Sequence, residues 1–171
     1  MSRRNWLAAA ILSLTLWLVG GGIANAARVP ERGPKLDAKA WIVIDARTGQ
    51  PLGGHAVDRH LGMASTTKMM TGYLAVRNLT LREKVTAGKY NPDPAESLMG
   101  LEPGQVVSVR DLLYGLFMLS GNDAAVTLAK AVSGSEAKFV TLMNRTARQL
   151  GLDDTHYDNP VGLDGPSHYT S

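Results

Sequence analysis

The chain has 171 residues with 18 basic and 15 acidic side chains, four histidines and no cysteine. The absence of cysteine excludes a disulfide framework, thiolate chemistry and a lipid-anchored N-terminal cysteine. No basic cluster interleaved with aromatics and no run of like charge is present, which argues against a nucleic-acid partner.

Arg3 and Arg4, the apolar run Leu7 to Val19, and Ala24-Asn25-Ala26 have the form of an export signal with a small-x-small cleavage site, giving a signal peptide over residues 1–26. Removing it takes away two basic residues and no acid, leaving 16 against 15, a net charge of +1. The alternative is an uncleaved anchor, because Trp6 to Ile23 is uncharged and nearly long enough to span a bilayer, which would hold the chain at a membrane surface. Ser2-Arg3-Arg4-Asn5-Trp6-Leu7 is also similar to a twin-arginine signal. Residues 27–39 carry Pro30, Pro34 and several charges with no apolar period, and read as a linker before a domain at residues 40–171.

Trp41-Ile42-Val43-Ile44 is a strand, Asp45 to Gln50 a turn, and Pro51 to His55 a second strand, predicting a hairpin. From Ser65 the apolar period becomes helical: Met69, Tyr73 and Val76 share a stripe, with Met70 and Leu74 beside it, and the helix ends near Asn78. Residues 79–107 are mixed, with a strand at Lys84 to Ala87, a proline-rich loop at Asn91 to Ala95 and a turn at Glu102-Pro103-Gly104. Ser108 to Asp111 has capping-box form and opens an apolar helix over Leu112 to Leu119, which Gly121 interrupts. Asn122 or Asp123 caps a helix over Ala124 to Val132. A further helix starts at Ser135 and stops at Gly151, carrying Phe139, Leu142, Met143, Thr146, Ala147 and Leu150 at helical spacing. Met69, Met70, Met118 and Met143 fit helical stripes and are expected in the core. Leu152 to Ser171 is rich in Asp, Gly, Pro and Asn, with no apolar helix or strand.

Two short motifs carry chemistry. In Ser65-Thr66-Thr67-Lys68, a lysine three positions on lies about 60° around a helix axis and one turn up, within reach of the serine hydroxyl. A neutral amine there can take the proton that makes serine nucleophilic, and burial together with the positive end of the helix dipole favours the neutral form. A cap alone would favour Asp or Glu in the first turn, since a cation opposes the dipole by roughly 0.3–1 kcal/mol. In Ser120-Gly121-Asn122, a hydroxyl and an amide project from a junction between two helices, where Ser120 can relay a proton and Asn122 can both donate to and accept from a peptide. Each motif alone reads most simply as a helix cap. His55, His60, His156 and His168 have no metal-ligand spacing, and no cofactor is expected.

Together with Trp41-Ile42-Val43-Ile44-Asp45, Leu101-Glu102-Pro103-Gly104 and Asn159-Pro160-Val161-Gly162-Leu163, the two motifs make the chain, from about Ala40 onward, resemble the D-alanyl-D-alanine carboxypeptidases among the low-molecular-mass penicillin-binding proteins. The resemblance implies an α/β (α+β) fold of the β-lactamase/transpeptidase type. It also implies Ser65 as the acylated nucleophile, Lys68 as general base, and Ser120 with Asn122 completing the centre. The implied substrate is a peptidoglycan pentapeptide ending in D-Ala-D-Ala, with β-lactams as inhibitors and an exported location. The Lys-Thr-Gly triplet of that family occurs nowhere after Asn122. Arg47-Thr48-Gly49 precedes Ser65 and lies in the hairpin turn, so it is no replacement. The expectation is therefore a C-terminally truncated catalytic domain without the later sheet strands, whose first strand has an exposed apolar edge. Two other readings stand beside it. One is a non-catalytic peptidoglycan-binding fragment. The other is a β-lactamase, disfavoured because no Glu-x-x-x-Asn follows Ser120.

Overall fold

The computed structural model describes residues 29–31 and 33–171, so the export signal expected over residues 1–26 lies outside the described residues. Two short strands, β1 (Trp41–Ile44) and β2 (Pro51–His55), pair antiparallel from Trp41 opposite His55 to Ile44 opposite Pro51, with a register irregularity after Val43. The intervening turn is closed by Asp45, whose Oδ1 accepts from the Arg47 and Thr48 amides and from the Thr48 hydroxyl at 2.8–3.0 Å. The described residues of 29–39 form no helix or strand, yet the Pro30 carbonyl accepts from Gly54 N–H at 3.0 Å and ties this segment to β2.

A 3-10 turn over Ala64–Thr67 leads into α1 (Lys68–Asn78). Ser65 thus sits in the tighter turn, and the α-helix proper begins at Lys68. β3 (Lys84–Thr86) pairs antiparallel with β4 (Val106–Ser108), a strand whose three residues are too short for a sequence signal. Three helices follow: α2 (Val109–Met118), α3 (Asn122–Ser133) and α4 (Glu136–Gln149). Ser108 and Ser135 cap α2 and α4, accepting from the Asp111 and Lys138 amides, and Gly134 ends α3 at a left-handed φ of 78°.

The centre of the fold is α3, whose residues 122–129 are all buried. A helix with no solvent face needs neighbours on every side, and α1, α2 and α4 all pack against it. Ala124, Ala125 and Ala129 are fully buried, and these small side chains let the surrounding helices approach closely. On one side Val109, Leu112 and Leu116 of α2 meet Leu128. On the other, Met70 and Leu74 of α1 meet Phe139, Met143 and Ala147 of α4. Burying each large side chain of this kind contributes roughly 1.5–3 kcal/mol.

Two expectations about the core are corrected. Met69, Tyr73 and Val76 form the exposed stripe of α1 (66%, 39% and 57% exposed), because α3 packs against the adjacent Met70 and Leu74 stripe. Met118, at the solvent end of α2, is also exposed, so of the four methionines only Met70 and Met143 lie in the core. The hairpin likewise has open faces: Ile42, Val43, Ile44 and Leu52 are each about half exposed. Among the described residues no helix is long and apolar enough to cross a membrane.

Candidate active site

Ser65 and Lys68 come from one stretch of the chain and Ser120 and Asn122 from another, and the packing of α1 and α2 on α3 brings the two together at one cleft. Lys68 Nζ lies 3.2 Å from Ser65 Oγ, and Ser120 Oγ donates to Ser65 Oγ at 2.8 Å. Ser65, Ser120 and Asn122 line a cleft of about 280 Å³, whose other walls are the 93–97 loop and the 161–163 loop. Two non-glycine residues here have left-handed backbones, Ala64 (φ 44°) directly before Ser65 and Ser120 itself (φ 56°). Such conformations cost of order 1–3 kcal/mol each and persist where the surrounding packing imposes them.

Lys68 is buried, with 3% of its surface exposed. Burial pushes its pKa below the ordinary 10.5, while the Glu96 carboxylate acts in the opposite direction. The second partner of the amine is a backbone group: Nζ donates to the Val161 carbonyl at 2.6 Å. A neutral amine has two N–H bonds and one lone pair. With one N–H held by Val161, the lone pair can turn toward Ser65, whose hydroxyl can donate to it while accepting from Ser120.

Val161 belongs to a loop that is itself rigidly made. Asn159 Oδ1 accepts from the Val161, Gly162 and Leu163 amides at 2.7–3.2 Å, and its Nδ2 donates to the Leu163 carbonyl. Thr71 of α1 donates to the Pro160 carbonyl at 2.7 Å. Further along, the Asp158 amide donates to His168 Nδ1 at 3.0 Å. That contact leaves the ring proton on Nε2, which donates to Thr67 Oγ1 at 2.8 Å.

Burial holds the His168 pKa below its ordinary 6.5 despite the Asp158 and Asp164 carboxylates nearby. With the folded pKa depressed, the unfolded chain takes up the proton first, so the stabilisation is complete above pH 6.5 and is lost as pH falls through the folded value. The thermal midpoint is expected to drop on acidification below pH 6.5, and His168→Ala is expected to flatten that slope between pH 6.5 and 5, as read by circular dichroism melts.

Asn122 occupies the first turn of α3, with Gly121 rather than Asn122 as the capping residue. Its backbone N–H donates to the Ser97 carbonyl at 2.8 Å, and its Nδ2 donates to Glu96 Oε2 at 2.7 Å. Asp123 next to it is buried and accepts from the amides of Met99, Gly100 and Leu101, each at 2.8 Å. The carboxylate at the helix N-terminus thereby pins the 97–101 segment against α3. Asp123→Ala leaves these three amides, and that of Ala124 which donates to Oδ1 at 2.9 Å, without their side-chain acceptor. It is expected to destabilise the fold by about 3–5 kcal/mol, measured by urea denaturation.

The sequence marks none of Glu96, Val161, Gly162 or His168 as site residues. Glu96 lies just past the proline-rich loop with no fixed spacing to either motif, and Val161 contributes only a carbonyl, which any residue has. Among the described residues no group of three or more His, Asp or Glu side chains is arranged to hold a metal ion.

The profile of the D-alanyl-D-alanine carboxypeptidases matches residues 25–171. D-alanyl-D-alanine carboxypeptidase DacD of Salmonella typhimurium is 37% identical over 182 residues, an alignment covering 100% of this chain and 46% of the relative. DacC of Escherichia coli is 40% identical over 159 residues, covering 86% of this chain and 40% of the relative. In structure, penicillin binding protein 6B from Escherichia coli superimposes with a TM-score of 0.77 at 40% identity, over 85% of this chain and 49% of that one. In the part that aligns, the mixed helix and strand arrangement is thus that of the penicillin-binding proteins, and the chain spans less than half the length of these relatives.

Proposed function

Because the chain belongs to the D-alanyl-D-alanine carboxypeptidase family, we propose that it is a serine-type hydrolase of the exported cell-wall machinery, trimming peptidoglycan stem peptides that end in D-Ala-D-Ala. The observation that carries this reading is the closed contact set of Ser65 with a buried lysine and a second serine. In the reaction, Lys68 as a neutral amine takes the Ser65 proton as Oγ attacks the penultimate D-Ala carbonyl. A bond forms between Oγ and the carbonyl carbon, and the amide bond to the terminal D-Ala breaks. The proton passes from Lys68 through Ser120 to the departing amine. Asn122 holds the peptide backbone beside the scissile bond. Water then hydrolyses the Ser65 ester, with the same amine as base. A β-lactam enters by the first step, but its leaving nitrogen stays tethered to the acyl group.

The direct test is incubation with a fluorescent penicillin, followed by peptide mass spectrometry. A single adduct on Ser65, absent in Ser65→Ala, is expected; folded protein without an adduct would overturn the reading. A second reading, a chain that binds penicillin or peptidoglycan without turnover, is favoured by one feature: no β-strand borders the cleft among the described residues. Release of D-Ala from a peptide ending in Lys-D-Ala-D-Ala separates the two, because only the carboxypeptidase produces it.

A further inference from the structure

Neither His168 nor Thr67 is among the described residues that line the cleft, yet a hydrogen bond joins them directly behind the nucleophile. We propose that His168 is a positioning residue: its ring is a strut that holds the turn carrying Ser65 against the loop whose Val161 carbonyl aims Lys68.

The ring joins two segments far apart in the chain. At one end Nε2 donates at 2.8 Å to Oγ1 of Thr67, a fully buried residue that closes the 3-10 turn and directly precedes Lys68. At the other end Nδ1 accepts at 3.0 Å from the Asp158 amide, next to the Asn159 whose side chain gathers the 161–163 amides. An apolar ring would fill the same space with no polar atoms to satisfy. An imidazole, with an acceptor on one side and a donor on the other, ties together two segments that each present one partner. His168 is 4% exposed and the Tyr157 ring meets it edge-on, so it has little freedom to turn. Lys68 and Thr71 also reach this loop, at the Val161 and Pro160 carbonyls, but from α1; the His168 bond reaches the 3-10 turn itself. The same bonds make the strut acid-sensitive. A second proton must go on Nδ1, where it would face the Asp158 N–H, donor against donor, and that end of the strut breaks. Of the charged groups facing the ring, Asp158 and Asp164 favour the second proton and His156 opposes it, while from the 3-10 turn the ring meets the uncharged Thr67 hydroxyl. Burial outweighs the carboxylates and keeps the ring neutral.

This inference rests on reading the cleft as an acyl-transfer site, and the experiment separates the two. His168→Gln keeps a donor near the Nε2 position and loses the Nδ1 acceptor, while Thr67→Val removes the hydroxyl at the other end. With a fluorescent penicillin, each is expected to lower the limiting acylation rate of Ser65 about 10- to 100-fold, because the nucleophile and its base are displaced relative to each other. Non-covalent binding is expected to change less than about threefold, since neither residue lines the cleft. The double variant should lose little more than the worse single one, because both break the same strut. Thr67→Ser, which restores the hydroxyl, should return the rate to within about threefold of the parent, and with Thr67→Val it carries the test if His168→Gln does not fold. Below pH 6.5 the parent's acylation is expected to fall more steeply than that of His168→Gln, which has no ring to protonate. Equal losses in binding and rate, additive losses in the double variant, parallel pH profiles or unchanged rates would overturn the proposal. Nitrogen–proton NMR of the parent at neutral pH is independent of activity: His168 is expected as the Nε2–H tautomer, with its Nε2 resonance shifted in Thr67→Val. An Nδ1–H tautomer overturns the strut even if Ser65 is acylated. The expected tautomer in a chain that forms no adduct upholds the strut while the acyl-transfer reading fails.

Discussion

Lys68→Arg is expected to lower the acylation of Ser65 by penicillin at least about a thousandfold, because the variant keeps the charge and loses the lone pair. General-base catalysis of this kind is worth roughly 10²–10⁴ in rate, and a guanidinium does not deprotonate at any working pH. The native amine sits 2.6 Å from the Val161 carbonyl and 3.2 Å from Ser65, a space shaped for a compact group. Its pH behaviour carries a sign. Burial lowers the pKa, so the neutral fraction rises with pH, and acylation is expected to climb with pH and level off below the ordinary 10.5. The same shift costs stability at neutral pH. The unfolded chain holds the lysine proton more tightly than the folded chain, and folding stability from this group grows as pH rises toward 10.5. Lys68→Met is therefore expected to fold at least as stably as the parent at pH 7 while forming no adduct. Stopped-flow fluorescence gives the rates and urea denaturation the stabilities. A Lys68→Met protein that still acylated Ser65 rapidly would remove the amine from the mechanism.

The contrast between Lys68 and Val161 shows which parts of the site a sequence can carry. A serine and a lysine three positions apart are close in any helical turn, so their contact is legible without the fold. Ser120 and Asn122 are legible as a pair but not as neighbours of Ser65, 55 residues away, and their arrival there depends on α1 and α2 packing on α3. The Val161 carbonyl and the Glu96 carboxylate meet their partners only through tertiary packing: Glu96 leaves no local pattern, and the Asn159 to Leu163 motif marks Val161 without showing that its carbonyl meets Lys68. For the helices, periodicity and capping served well at Ser108 and Ser135, where the hydroxyl accepts from the third amide beyond it. On α1, periodicity identified a stripe without its direction. Met69, Tyr73 and Val76 share a face as firmly as Met70 and Leu74 do, and only the position of α3 decides which face is buried. The three-residue strand β4 is set by pairing with β3, since residues of that length carry little periodic signal.

Gly162→Ala is expected to damage both fold and chemistry more than any other single methyl group added near the site. A Cβ at Gly162 would stand 1.9 Å from the Ala64 carbonyl oxygen, 2.4 Å from its carbon and 3.0 Å from the Ser65 nitrogen. All three are backbone atoms, so no side chain can swing aside, and the backbone there (φ 98°) is one that alanine rarely adopts. The two costs fall on the same joint. The 161–163 loop supplies the carbonyl that aims Lys68, and the 3-10 turn beneath it carries Ser65, so relief of the clash must move one against the other. A displacement of about 1 Å between nucleophile and base can cost on the order of 100-fold in rate, and strain at a positive φ together with overpacking costs roughly 2–4 kcal/mol. The expected result is a lower urea midpoint together with acylation reduced about 100-fold or more in the fraction that remains folded. Gly88→Ala, at a glycine with open space around it, serves as the control and should change neither. A Gly162→Ala protein with the parent's midpoint and acylation rate would mean that the loop yields freely, and the positioning of Lys68 would then have to come from α1 alone.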